Sequence, residues 1–236
     1  MENSSVAEIR RLLRASADKK TAESSQRFFK EEISAYGAKS AAVKKIAAQV
    51  LASLNNRPKA EVFALCDELW RSGYIEEAGV ACEWAYAFRK QYEPEDFTVF
   101  EKWLSEYVGN WASCDTLCNH TIASFVESYP QFVPTVKAWA GSENRWLKRG
   151  SAVTFIIPAR KGLWLEDILE IADKLLPAPD DLVQKGYGWL LKAASEAHPE
   201  KIYDYVLSKK EIMPRTAFRY SLEKMPREWR QEAMKK

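Results

Sequence analysis

Nearly every segment of the chain repeats apolar residues at i, i+3, i+4 and i+7, as in Ile9, Leu12 and Leu13, and again in Val43, Ile46, Ala47, Val50 and Leu51. That spacing lays one apolar stripe along a helix, so the pattern predicts roughly twelve to fourteen amphipathic helices. The stripes are interrupted at Gly37, the Asn55–Pro58 run, Gly73, Pro94, Gly109, Pro130, Gly141, Gly162, the Pro177–Pro179 run, Pro199 and Pro214. Glycine and proline punctuate helices, so these points predict short connections between helices. With only 9 Gly and 10 Pro in 236 residues, the chain lacks the turns of a β-sandwich or a glycine-looped nucleotide fold.

The segments also resemble one another. Trp111–Asp115 aligns with Trp146–Gly150 and with Leu182–Gly186, and a small or polar column runs through Gly79, Asp115, Gly150 and Gly186 in steps of 36, 35 and 36. Pro94 and Pro130 echo the period at 36, and Pro130 and Pro199 are 69 apart, about two periods. A two-helix repeat of this length predicts an all-α fold, a right-handed α-solenoid of HEAT or armadillo-like type, forming one domain over residues 1–236. Glycine inside a helix costs about 1 kcal/mol relative to alanine, so the column points to close helix packing. Asp115 puts a carboxylate in that column, on the helix expected to line the concave, partner-binding surface.

Charge sharpens the picture. The net charge is only +2, but residues 1–50 carry 10 Lys and Arg against 6 Asp and Glu, and residues 201–236 carry 10 against 5. Residues 51–142 carry 7 against 13, so two basic ends bracket an acidic middle. Such ends can grip a phosphate backbone or simply solvate helix faces. No apolar run approaches the roughly 20 residues of a membrane span, and the first residues lack a signal-peptide core, so a cytoplasmic protein is expected. The four cysteines, Cys66, Cys82, Cys114 and Cys118, fall in helical segments, as reduced buried thiols do.

Trp111 and Asp115 are i and i+4 and share a helix face; one repeat on, Arg149 lies within one position of the column, followed by the i, i+4 pair Lys185 and Trp189. Taken separately, each residue also fits core packing or a surface ion pair. Together they suit a nucleic acid: Arg149 and Lys185 can hold phosphates, and the indoles can stack on sugars or bases. A carboxylate in that setting must serve something positive. Cleavage of an N-glycosidic bond builds positive charge on deoxyribose, and an alkylated purine already carries it.

Asn110–Asp115, Asn144–Arg149 and Gln184–Trp189 resemble the three motifs of the AlkD-type DNA alkylation repair glycosylases. The segments Phe28–Lys30, Tyr36–Gly37 and those around Pro130 and Pro199 fit as well, so the resemblance covers nearly the whole chain. It implies a HEAT-like solenoid that removes positively charged N3- and N7-alkylated purines from duplex DNA, as a monomer with no metal or other cofactor. It further implies that Asp115 is the catalytic carboxylate, that Trp111 and Trp189 contact the lesion nucleotide, and that Arg149 holds a neighbouring phosphate. Family members commonly carry an acidic residue after the first tryptophan, where this chain has Ala112, and Cys114 precedes the carboxylate in place of an aliphatic residue.

Two other readings remain beside the glycosylase: a relative that binds branched or distorted DNA without excising a base, and a protein-binding scaffold. The Cys114, Cys118 and His120 cluster lies within a helix and lacks a fourth ligand, so zinc is set aside. No phosphate-cradling glycine loop supports nucleotide chemistry. Trp70, Trp84, Trp103, Trp139, Trp164 and Trp229 are read as filler between helices.

Overall fold

The computed structural model describes residues 4–54 and 57–235. Its chain is a succession of helices, with an isolated bridge between Ser34 and Tyr74. Among the described residues no helix is long and apolar enough to cross a membrane. The predicted breaks fall at helix boundaries: Gly37, Gly73 and Gly162 turn with positive φ, Pro199 opens a helix, and Pro214 caps one. Asn55 and Asn56 lie outside the described residues.

The chain comprises two compact units, Met1–Thr121 and Ile122–Lys236. In the first, helix Ile75–Ala87 packs on both Ser40–Ser53 and Lys59–Arg71, and helix Ser4–Ala15 packs on Ser40–Ser53. Trp84, Trp103, Phe100 and Leu69 are fully buried there. The two fully buried indoles keep their N–H groups paired, Trp84 to the Ala47 carbonyl at 2.8 Å and Trp103 to Asp67 at 3.3 Å. In the second unit, helix Asp181–Ala194 is the hub, packed by Arg145–Val153, Ile156–Arg160, Leu165–Leu175 and Arg215–Ser221. Trp70 and Trp139 are buried, as expected of filler, while Trp164 and Trp229 are half-buried against Phe155 and Tyr203.

The repeat has a structural origin in where helices begin. Six helices start after Lys39, Tyr74, Asn110, Asn144, Asp180 and Pro214, in steps of 35, 36, 34, 36 and 34 residues. At three of them a side chain caps the first turn. Asn110 accepts from Ser113 N at 2.9 Å, Asn144 from Trp146 N at 2.8 Å, and Asp180 from Leu182 N at 2.8 Å. Each cap satisfies amides that a helix start leaves without partners. Counted from these starts, the fifth residue is Lys44, Gly79, Asp115, Arg149, Lys185 and Arg219. Asp115, Arg149 and Lys185 therefore occupy one register position, and Gly150 and Gly186 stand one residue later.

Candidate functional site

In the first unit, Trp111 is the first residue after the Asn110 cap and Asp115 lies one turn further, both half-buried. The indole N–H of Trp111 donates to the Phe28 carbonyl at 3.1 Å, and the Phe29 ring stacks on it at 5.3 Å and 22°. Phe28 itself is left 72% exposed, which makes it an aromatic face offered to solvent beside Trp111. Sequence alone places Phe28 in a matching segment and assigns it no role; its one signal is an aromatic ring in an otherwise polar turn.

That aromatic turn is held by a chain of buried polar contacts. Gln26 donates to the Glu31 carbonyl at 2.8 Å and accepts from Ile33 N at 3.1 Å, shaping the turn that carries Phe28 and Phe29. Behind it, Glu76 accepts from the amides of Tyr36, Gly37 and Ala38 at 3.1, 2.7 and 3.1 Å. Glu77, fully buried, takes the Tyr36 hydroxyl at 2.6 Å and Arg10 at 3.1 Å. Gly37 is obligatory: its φ is +87°, and a Cβ there would fall 2.2 Å from the Asp18 carbonyl oxygen. Asp18 in turn caps helix Lys19–Gln26.

The helix that carries Asp115 also walls a cleft of about 320 Å³, lined by Lys44, Gly79, Glu83, Ala112, Thr116 and His120 among others but not by Asp115 itself. Lys44 and Glu83 pair across it at 3.3 Å, and the His120 ring lies 5.5 Å from that of Tyr86. Desolvation holds the His120 pKa below its ordinary value; Glu83 opposes the shift and Lys44 adds to it. The methyl of Ala112 forms part of this cleft wall, whereas Cys114 and Cys118 are fully buried. After Thr116 the helix widens into a π-helical stretch, Leu117–Ile122, an irregularity frequent at functional sites.

In the second unit, Arg149 is only 5% exposed and its Nη1 donates to the Leu182 carbonyl. Its side chain lies against Gly186, where a Cβ would stand 3.4 Å from Arg149 Cγ. Arg149 thus packs on the helix that carries Lys185 and Trp189. Lys185 is more accessible and pairs with Asp181 at 3.4 Å, and Trp189, one turn further, is half-buried. Close helix packing requires a glycine most clearly outside the column, at Gly188, where a Cβ would meet Tyr220 Cβ at 2.8 Å and the Ala217 backbone at 3.0 Å.

The family model of DNA alkylation repair enzymes matches residues 9–225. Among solved structures, a predicted DNA alkylation repair enzyme from Enterococcus faecalis shares the fold with a TM-score of 0.80, at 18% identity, covering 89% of this chain and 97% of its own. No curated protein shows significant similarity to the sequence.

Proposed function

Because the chain belongs to the DNA alkylation repair enzyme family, we propose that it hydrolyses the N-glycosidic bond of positively charged N3- and N7-alkylated purines in duplex DNA, as a monomer and without a metal ion. The observation that carries this reading is the register of the capped helices: the fifth residue is a carboxylate, Asp115, after Asn110, and a cation, Arg149 or Lys185, after Asn144 and Asp180. A basic row suits a phosphate backbone. A half-buried carboxylate at the same register position suits a positive group carried on that backbone.

The chemistry that fits is hydrolysis. Water attacks C1′ as the bond from C1′ to the purine nitrogen breaks. The bonding pair leaves with the base and neutralises its cationic ring, so no acid is needed to protonate the leaving group. Asp115 stabilises the positive charge that builds on the sugar and takes the proton of the attacking water. Trp111 and Trp189 contact the lesion nucleotide through their ring faces. Lys185 and Arg149 hold phosphates, the first as an accessible ammonium and the second as a guanidinium fixed by the Leu182 carbonyl.

A DNA-binding protein that excises nothing is the second reading, favoured by Ala112 in the cleft wall, where relatives commonly carry an acidic residue. Release of methylated purines from alkylated duplex DNA decides between them. The glycosylase reading expects release by the wild type and none by Asp115→Asn at equal DNA affinity. Salt-sensitive binding without release by the wild type establishes the second.

A further inference from the structure

The C-terminal helices carry a charge imbalance that the site above does not use. Arg215 and Arg219 stand one turn apart on helix Arg215–Ser221, and Arg227 and Arg230 one turn apart on helix Arg227–Ala233. All four are exposed, yet they border two adjoining grooves. Arg219, Arg227 and Arg230 line one of about 460 Å³ whose apolar lining is Leu222 and Met234. Arg215 and Arg219 line the second, of about 300 Å³, and Arg219 with Glu223 forms the wall common to both.

Elsewhere in this unit exposed Lys161 pairs with Glu127 at 2.7 Å and exposed Arg160 with Glu196 at 3.5 Å, whereas exposed Lys174, Lys201 and Lys224 show no ion pair among the described residues. None of the four arginines has an ion pair, hydrogen bond or ring contact from its side chain among the described residues. Two carboxylates nearby are already engaged, while Glu228, next to Arg227, has no ion pair among the described residues and does not line the groove. Glu223 binds Lys192 at 2.8 Å, and Glu232, which does not line the groove, binds Lys235 at 2.5 Å. Like charges gathered within a Debye length of roughly 8 Å repel one another and gain nothing unless an anion arrives. Register supplies an independent observation: Arg219 is the fifth residue after Pro214, the position held by Lys185 after Asp180 and Arg149 after Asn144.

We infer that these two grooves form a second phosphate-binding site, which takes the sugar–phosphate backbone of the bound duplex away from the lesion. Guanidinium groups match phosphate oxygens through paired donors, and the Leu222 and Met234 surface suits the deoxyribose between phosphates. The inference rests on the DNA reading of the preceding subsection, and it predicts a longer footprint than base excision requires.

The test is fluorescence anisotropy of the full chain with an undamaged duplex at several salt concentrations. Changing Arg219, Arg227 and Arg230 together to Ala is expected to lower the slope of log affinity against log salt by about 0.9 for each phosphate no longer neutralised. The same three positions changed to Lys keep the slope, because counterion release counts charges. An unchanged slope in the alanine variant overturns the site, even where the wild type releases methylated purines and the glycosylase reading stands. Loss of the slope in the lysine variant as well marks damage to the fold and also overturns the charge argument. Arginine-dependent capture of polyglutamate with no change in the DNA slope overturns the assignment to a nucleic acid.

Discussion

The helix that follows Asn110 in the first unit and the helices that follow Asn144 and Asp180 in the second start alike and carry opposite charge at the same position. The cap fixes where the fifth residue stands, and the identity of that residue decides what it can do. In the second unit the position is basic and tied into packing, with Arg149 on the Leu182 carbonyl. In the first it is Asp115, on the helix that walls a cleft and one turn after an indole stacked on Phe29. On the proposed reading, a repeat position that holds phosphates elsewhere serves chemistry in the first unit through one substitution, without a new fold. Asp115→Asn removes that difference most directly. Purine release is expected to fall by about 10²-fold or more, the usual scale for a group that moves a proton or meets developing charge. Asp115→Lys extends the basic row instead, so duplex affinity measured by anisotropy should rise while release is lost.

The units also differ in what holds them. The first depends on buried carboxylates that collect backbone amides around Gly37, and the second on glycines that let helices touch. Glu76→Ala orphans three amides, a loss of about 3 kcal/mol at the usual cost of unmet buried donors. Hydrogen exchange should speed up at residues 34–38 and in the Phe28 turn, and leave helix Asp181–Ala194 unchanged. Gly188→Ala does the reverse. Its methyl would fall 2.8 Å from Tyr220 Cβ. Overpacking costs about 1–3 kcal/mol, and the gain in helix propensity returns about 1. Thermal denaturation should therefore show a smaller loss, with the faster exchange confined to the contact between helices Asp181–Ala194 and Arg215–Ser221.

The helices and their connections were legible because each is written locally, in apolar spacing and in glycine or proline at the breaks. The period was legible as well, in the column Gly79, Asp115, Gly150 and Gly186 with its steps of 36, 35 and 36, though the caps that set it were not. Trp111 and Asp115 could be paired from their i, i+4 spacing alone. The Glu76 clamp could not. It joins residues 38 to 40 positions apart, and two adjacent glutamates in a helix read as an exposed acidic turn. Arg149 showed its charge in the sequence but not its burial, which comes from packing on the next repeat, where its Nη1 meets the Leu182 carbonyl. Contacts between repeats follow from packing, and packing is where the pattern of a single helix stops being informative.

The smallest expected effect separates the two units by pH. His120 lines the cleft of the first unit, where desolvation keeps its pKa below the ordinary 6.5. Folding therefore disfavours the protonated ring. Below about pH 6.5 the unfolded chain binds a proton that the folded chain does not, and stability falls as pH falls. The loss begins near the unfolded imidazole value and ends once the folded ring titrates too. Asp18 and Glu8, whose pKa values are lowered by hydrogen bonds, release their contributions only at lower pH, as their carboxylates protonate. Comparing thermal midpoints of the wild type and His120→Gln between pH 7.5 and pH 5 isolates the ring. The variant is expected to lose less stability over that interval, with the difference visible in hydrogen exchange of the first unit alone. Equal losses would place His120 in water rather than against the cleft wall, and would remove the imidazole as the group through which mild acid tells the first unit from the second.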